Sequence, residues 1–171
     1  MTPAEIADRI LLIEEQERRL VLPHFTNDDA WRLGGILVRL AGERAAPVAV
    51  DIRRGAQQLF HSALPGSSAD NDTWLRRKTR TVERYGHSSY LVGLRFAAQG
   101  STFEAKSRLD PARYAAHGGA FPITVAGVGV VGAVAVSGLP QADDHALVVT
   151  ALTRYLTEPQ PQPQPEPEMG P

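Results

Sequence analysis

A chain of 171 residues, 43% hydrophobic and 22% charged, is long enough to bury a sizeable core within one domain. Its formal net charge of −1 offers no global field to draw nucleic acid or an anionic membrane. The absence of cysteine excludes disulfides, thiolate catalysis and cysteine-ligated metal or iron–sulfur centres. The acidic, amphipathic start MTPAEIADRI does not read as a signal peptide. The longest apolar stretch, 120–136, is interrupted by Pro122, Thr124 and three glycines, so no membrane span is expected and the cytoplasm is the expected compartment.

From Pro3 to about Leu20, Ile6, Ile10, Ile13 and Leu20 recur at roughly helical spacing, with acids early and arginines late to suit the helix dipole. Thr26 with Asp29 three residues on predicts the capped start of a second helix, which ends at Gly42. One face of that helix carries Ala30, Leu33, Gly34, Leu37, Leu40 and Ala41. Gly34-Gly35 in its middle costs about 1 kcal/mol per glycine relative to alanine, which implies a close approach to another backbone. The run 48–52 is β-branched, turns at Arg53-Arg54-Gly55 and pairs back with 57–63 as a hairpin. After a polar loop, Asp72 or Thr73 caps a helix that sets Trp74, Leu75 and Val82 against the core.

Ser88 starts a further short helix towards Ala98, and 103–115 reads as irregular or briefly helical. A second hairpin joins 121–125 to 128–136 across Ala126-Gly127. Pro140 suits the first turn of the last helix, with Asp143 and Asp144 near its positive end. Leu147, Val148, Ala151, Leu152 and Tyr155 form its buried stripe. A single domain is expected over 1–157. From Pro159 every second residue through Pro167 is proline, so 158–171 is expected to be a disordered, polyproline-like tail. Without that tail's three acids the domain carries about +2. Antiparallel hairpins separated by helices make the fold α+β.

Ordered landmarks run through the chain: Val48 to Arg54, Gln58-Leu59-Phe60-His61, Leu64-Pro65-Gly66, Arg76-Arg77-Lys78, His87-Ser88-Ser89-Tyr90, His117-Gly118-Gly119, Phe121-Pro122-Ile123 and Ser137-Gly138-Leu139-Pro140-Gln141. On these, the stretch from about Thr26 to Leu156 resembles uncharacterised protein family 0303, a branch of the GlcG-like, haem-degrading-domain (HbpS-like) superfamily. The resemblance implies a profilin-like fold, a five-stranded antiparallel sheet flanked by helices, assembled as a homo-oligomer of two or more copies. It implies a small-molecule or haem-binding protein with a role related to haem degradation, and haem as the one cofactor to test. It supplies no catalytic residue and no metal ligand. The histidine before the double glycine belongs to this branch rather than to GlcG-like proteins at large, so haem ligation does not carry over through it.

Two groups of residues are candidates for ligand binding. Gly118-Gly119 lets backbone come close to a ligand, Phe121 and Pro122 offer apolar walls, and the His117 imidazole can ligate iron or move a proton. The same histidine can equally bond locally to backbone at a turn. Arg76, Arg77 and Lys78 form the concentrated positive charge, with Arg80 and Arg84 following. They can grip a carboxylate, a phosphate or haem propionates, or make a solvated face paired with Glu83 and neighbouring subunits. Asp143-Asp144-His145 points in diverging directions on a helix and cannot converge on one ion. Ser137-Gly138 lacks a nucleophile-elbow pattern, and His24, His61 and His87 show no metal-ligand spacing. Catalytic residues therefore stay unassigned. A non-enzymatic homo-oligomeric adaptor, with the tail as a docking peptide, is the alternative to a binding protein.

Overall fold

The computed structural model describes residues 1–158, so the expected disordered tail lies almost wholly outside the described residues. Helix α1 (Pro3–Arg19) starts on a Thr2–Glu5 capping box and ends on Arg18 and Arg19, the charge order its dipole favours. Strand β1 (Val21–Leu22) follows, then α2 (Asn27–Gly42), capped by Thr26 and Asp29. Strands β2 (Ala49–Arg54) and β3 (Gln57–Ala63) form a hairpin whose turn is Gly55-Ala56, two residues later than the sequence suggests. Helices α3 (Ala69–Tyr85), α4 (Ser89–Ala97) and the short α5 (Phe103–Ser107) precede the second hairpin. That hairpin is β4 (Ala120–Val125) with β5 (Gly129–Ser137), and α6 (Gln141–Thr157) closes the described chain. Helix α3 begins three residues before the expected cap, where Asn71 Oδ1 accepts from the Ser68 N–H.

The five strands make one open sheet in the order β1-β4-β5-β2-β3. Four strands pair antiparallel, and the fifth is the two-residue β1, which runs parallel to β4 and pairs Val21 with Thr124. Its residues end the first helix in the sequence, and two residues are too few to show a period.

Alternation along the strands sorts the two faces. Val50, Ile52, Phe121, Ile123, Val134 and Val136 pack with Leu33, Leu37, Leu147 and Val148 of α2 and α6 in the main core. The opposite face presents Ala49, Ala120, Ala133 and Ala135 to Leu75 and Val82 of α3. Small residues there let α3 lie close to the sheet, and that closeness brings its side chains onto strand backbone. Beside it, Ile13 of α1 packs with Tyr90, Leu91 and Leu94 of α4. Gly34 has a different reason from the one expected: a Cβ there would meet the Phe60 ring at 2.5 Å, so α2 admits a side chain rather than a backbone.

Candidate functional site

The segment 115–120 enters the sheet at β4 and is held by three helices. From α3, Thr81 Oγ1 donates to Ala115 O at 2.9 Å, while Arg77 O accepts from Ala115 N at 3.2 Å. Helix α4 supplies Ser89, whose hydroxyl donates to the carbonyls of His117 and Ala120 and accepts from Ala120 N at 3.1 Å. At the start of α6, Gln141 Oε1 accepts from Gly118 N at 3.2 Å.

Lys78 locks the arrangement from below. Its Nζ donates to Gly118 O at 3.0 Å, Val136 O at 2.5 Å and Asp144 Oδ2 at 3.1 Å, three acceptors for the three donors of an ammonium. Asp144 Oδ1 accepts in turn from Leu139 N at 3.0 Å. Both side chains are almost wholly buried. Burial draws Lys78 down and Asp144 up, and each opposes that shift in the other by its charge. The double glycine is what allows the fit. Gly119 has φ of 122° and a Cβ would lie 2.4 Å from Val136 O and 2.5 Å from Lys78 Nζ; at Gly118 it would meet Gln141 O at 2.0 Å.

On this support stands the His117 ring, edge-on to Trp74 with centroids 5.2 Å apart. The Arg77 guanidinium stacks on the same indole at 4.2 Å, and Trp74 Nε1 donates to Asp70 Oδ2 at 3.2 Å. The imidazole pKa is lowered, first by desolvation; Lys78 and Arg77 add to the shift while Glu104 opposes it. Burial thus favours the neutral imidazole over the imidazolium.

His117 and Gln141 form a ridge between two recesses. One is a groove of about 430 Å³ walled by Ile6, Leu94, Ala97, Phe103 and Ala116, with Glu104 on its rim. The other is a polar pocket of about 280 Å³ lined by Asp70, Asn71, Trp74, Lys78, Ser137 and Asp144. An apolar groove of that size with a few polar groups at one end has the form of a small-molecule site.

Of the candidates read from the sequence, the fold brings together His117, Gly118, Gly119, Lys78 and, through Trp74, Arg77. It does not place Phe121 or Pro122 there. Phe121 alternates onto the other face of the sheet, 1% exposed in the main core and tilted against His145. Pro122 borders a separate recess with Glu14, Glu17 and His87. Arg76 lies on the outer side of α3, lining two further grooves, and Lys78 is already paired and offers no free charge to a ligand. Sequence reading missed Ser89, Trp74, Gln141 and Asp144 as parts of the site. Asp144 was legible as a dipole partner only; its buried cation lies 66 residues away in sequence. The neighbouring His145 is also buried, donating through Nε2 to Gln16 Oε1 at 2.9 Å, and its Nδ1 has no partner among the described residues. Asp143 stays exposed, so the three residues diverge. Among the described residues no three His, Asp or Glu side chains gather as a metal cluster, and no helix is long and apolar enough to cross a membrane.

Comparison with known proteins places these features in context. A family model described as haem degrading protein HbpS-like matches residues 25–153. A UPF0303 protein of Streptomyces avermitilis is 69% identical over 159 residues, which is 93% of this chain and 98% of the relative. The crystal structure of Ybr137w protein superposes with a TM-score of 0.79 at 34% identity, covering 85% of this chain and 86% of that one. A PduOC:heme complex superposes with a TM-score of 0.65 at 18% identity, covering 75% of this chain and 93% of that one, a likeness of fold.

Proposed function

This chain belongs to the UPF0303 branch of the HbpS-like, haem-degrading-protein family, and from that premise we propose that it is a cytosolic, homo-oligomeric protein that binds haem or a similarly flat apolar ligand in the groove beside His117. The observation that carries the reading is the imidazole itself, its neutral form favoured by burial and its ring set against Trp74 at the edge of an apolar groove. A neutral imidazole is the form that ligates iron. Leu94, Phe103 and Ala116 give the macrocycle an apolar face. The residues present fit the group. When bound, haem supplies iron redox chemistry; the protein's part is to hold the ligand, orient it against His117 and keep water from one face.

The oligomeric part of the reading rests on large apolar side chains left in solvent, among them Leu11, Trp31 and Val128 at 63%, 65% and 72% exposure. These same surfaces support the second reading, a non-enzymatic homo-oligomeric adaptor. Haem titration separates the two. A saturable Soret shift is expected for the native protein, weakened at least about tenfold in His117→Ala, as loss of a metal ligand requires. No saturable shift in the native protein sinks the haem reading and leaves the adaptor.

A further inference from the structure

A second constellation lies on the outer side of α3, independent of His117. Arg76, Thr79, Arg80 and Glu83 follow at intervals of three, one and three, so they share one face of the helix. They line a groove of about 310 Å³ whose opposite wall is Arg53 and the Gly55-Ala56 turn of the first hairpin. Arg53 is already braced: Nε donates to the buried Asp51 Oδ2 at 2.7 Å and Nη1 to Ala56 O at 3.3 Å. Arg76 and Arg80 enter none of the ion pairs between described residues.

Thr79 provides the independent sign of a ligand. It is 3% exposed, and its Oγ1 is buried with no hydrogen-bond partner among the described residues. Helical Thr73, Thr150, Thr153 and Thr157 each return the hydroxyl to a carbonyl four residues back, and Thr81 donates to Ala115 O. Thr79 does neither. A hydroxyl that has lost water without gaining a bond is costly, and such groups in a folded protein call for a partner. Threonine in a helix has two accessible χ1 wells, so its hydroxyl can turn to a ligand without moving the backbone.

We propose that this groove binds a phosphate group, free or as a phosphomonoester. Arg76 and Arg80 donate to its oxygens, Arg53 closes the site from the hairpin, and Thr79 gives the neutral hydrogen bond. Two unpaired guanidinium forks and a third across the groove offer more donors than one carboxylate accepts, whereas a tetrahedral oxyanion meets them from several sides. Glu83 adds selectivity. It lies at the groove's end within the fields of Arg53 and Arg80, and burial raises its pKa against both. As a carboxylate it accepts from the P–O–H of hydrogen phosphate and repels sulfate, which has no proton to give.

Calorimetric titration of the intact protein, in buffer free of both anions, tests this with inorganic phosphate, phenyl phosphate and sulfate. Saturable phosphate binding is expected, with sulfate at least about tenfold weaker. Arg76→Ala/Arg80→Ala should cost at least about tenfold, and Thr79→Val about three- to tenfold. Tighter binding of phenyl phosphate assigns the site to a phosphomonoester, and tighter inorganic phosphate to the free ion; both support it. Without phosphate, Thr79→Val should melt no lower than the native protein, and a clear fall would give the hydroxyl a structural use and overturn its role. No saturable heat up to about 10 mM phosphate, equal affinity for sulfate, or binding indifferent to all these variants overturns the proposal. So does light scattering that shows Arg76→Glu/Arg80→Glu splitting an oligomer, with no phosphate bound before or after.

Discussion

Lys78 and Arg76 stand two residues apart on one helix and carry the same charge, yet they live in opposite environments. Lys78 faces the alanine side of the sheet, loses its water, and recovers three acceptors from the segment entering β4, from β5 and from α6. Arg76 faces outward into a groove and enters no ion pair between described residues. Arg77, between them, takes a third course and stacks on Trp74. A step of about 100° per residue is enough to send three like charges to a core, an aromatic face and open water. The inward charge holds the fold together, and its loss leaves a counter-ion stranded. The outward Arg76 and Arg80 enter no ion pair between described residues, and they are the pair proposed to meet phosphate.

Truncation of the inward charge is the strongest way to break this contrast. Lys78→Ala leaves Asp144 buried without a cation and should cost about 3–5 kcal/mol by urea denaturation, with Lys78→Met/Asp144→Leu recovering part of it. A loss under about 1 kcal/mol would mean that water reaches the pair, and the two sides of α3 would not differ.

The pH profile comes next. Burial draws His145 from 6.5 to about 4, with Arg9 adding to the shift. The unfolded chain takes up this proton first as pH falls. Stability from His145 is thus complete above about pH 6.5 and fades between there and pH 4, by about 3 kcal/mol. Urea midpoints over that range should slope in the native protein and flatten in His145→Gln; equal slopes would remove His145 from the buried network.

Gly119→Ala sharpens the same point through backbone. A left-handed φ together with contacts on Val136 O and Lys78 Nζ should cost about 2 kcal/mol or more in a thermal melt. On the outward side the expected effect is smallest: Arg76→Ala/Arg80→Ala should stay within about 0.5 kcal/mol of native stability in phosphate-free buffer. A larger fall there would give those arginines a structural partner.

Helix α2 was legible because its evidence is local: Thr26 and Asp29 cap it within one turn, and its apolar residues recur at helical spacing. The last helix and the two hairpins were legible on the same grounds. Strand β1 was not, because its pairing is with Thr124 and Val125, a hundred residues on, and two residues carry no period. Phe121 and Pro122 sit beside His117-Gly118-Gly119 in sequence but leave the site: strand alternation sends Phe121 to the core, and Pro122, further along β4, borders a separate recess. Ser89 and Asp144 gave no signal of their own, since each acts on a segment distant along the chain.

By itself the sequence determined the α+β class, most helices, both hairpins and the family, because caps, periods and ordered landmarks are properties of neighbouring residues. Only the tertiary structure decided that Lys78 is a buried staple, that Arg77 rests on Trp74, and that His117 overlooks an apolar groove. It alone left the Thr79 hydroxyl, between Arg76 and Arg80, without a hydrogen-bond partner among the described residues. Those outcomes depend on which face of α3 meets the sheet, and the small alanines of β2, β4 and β5 set that packing across the fold.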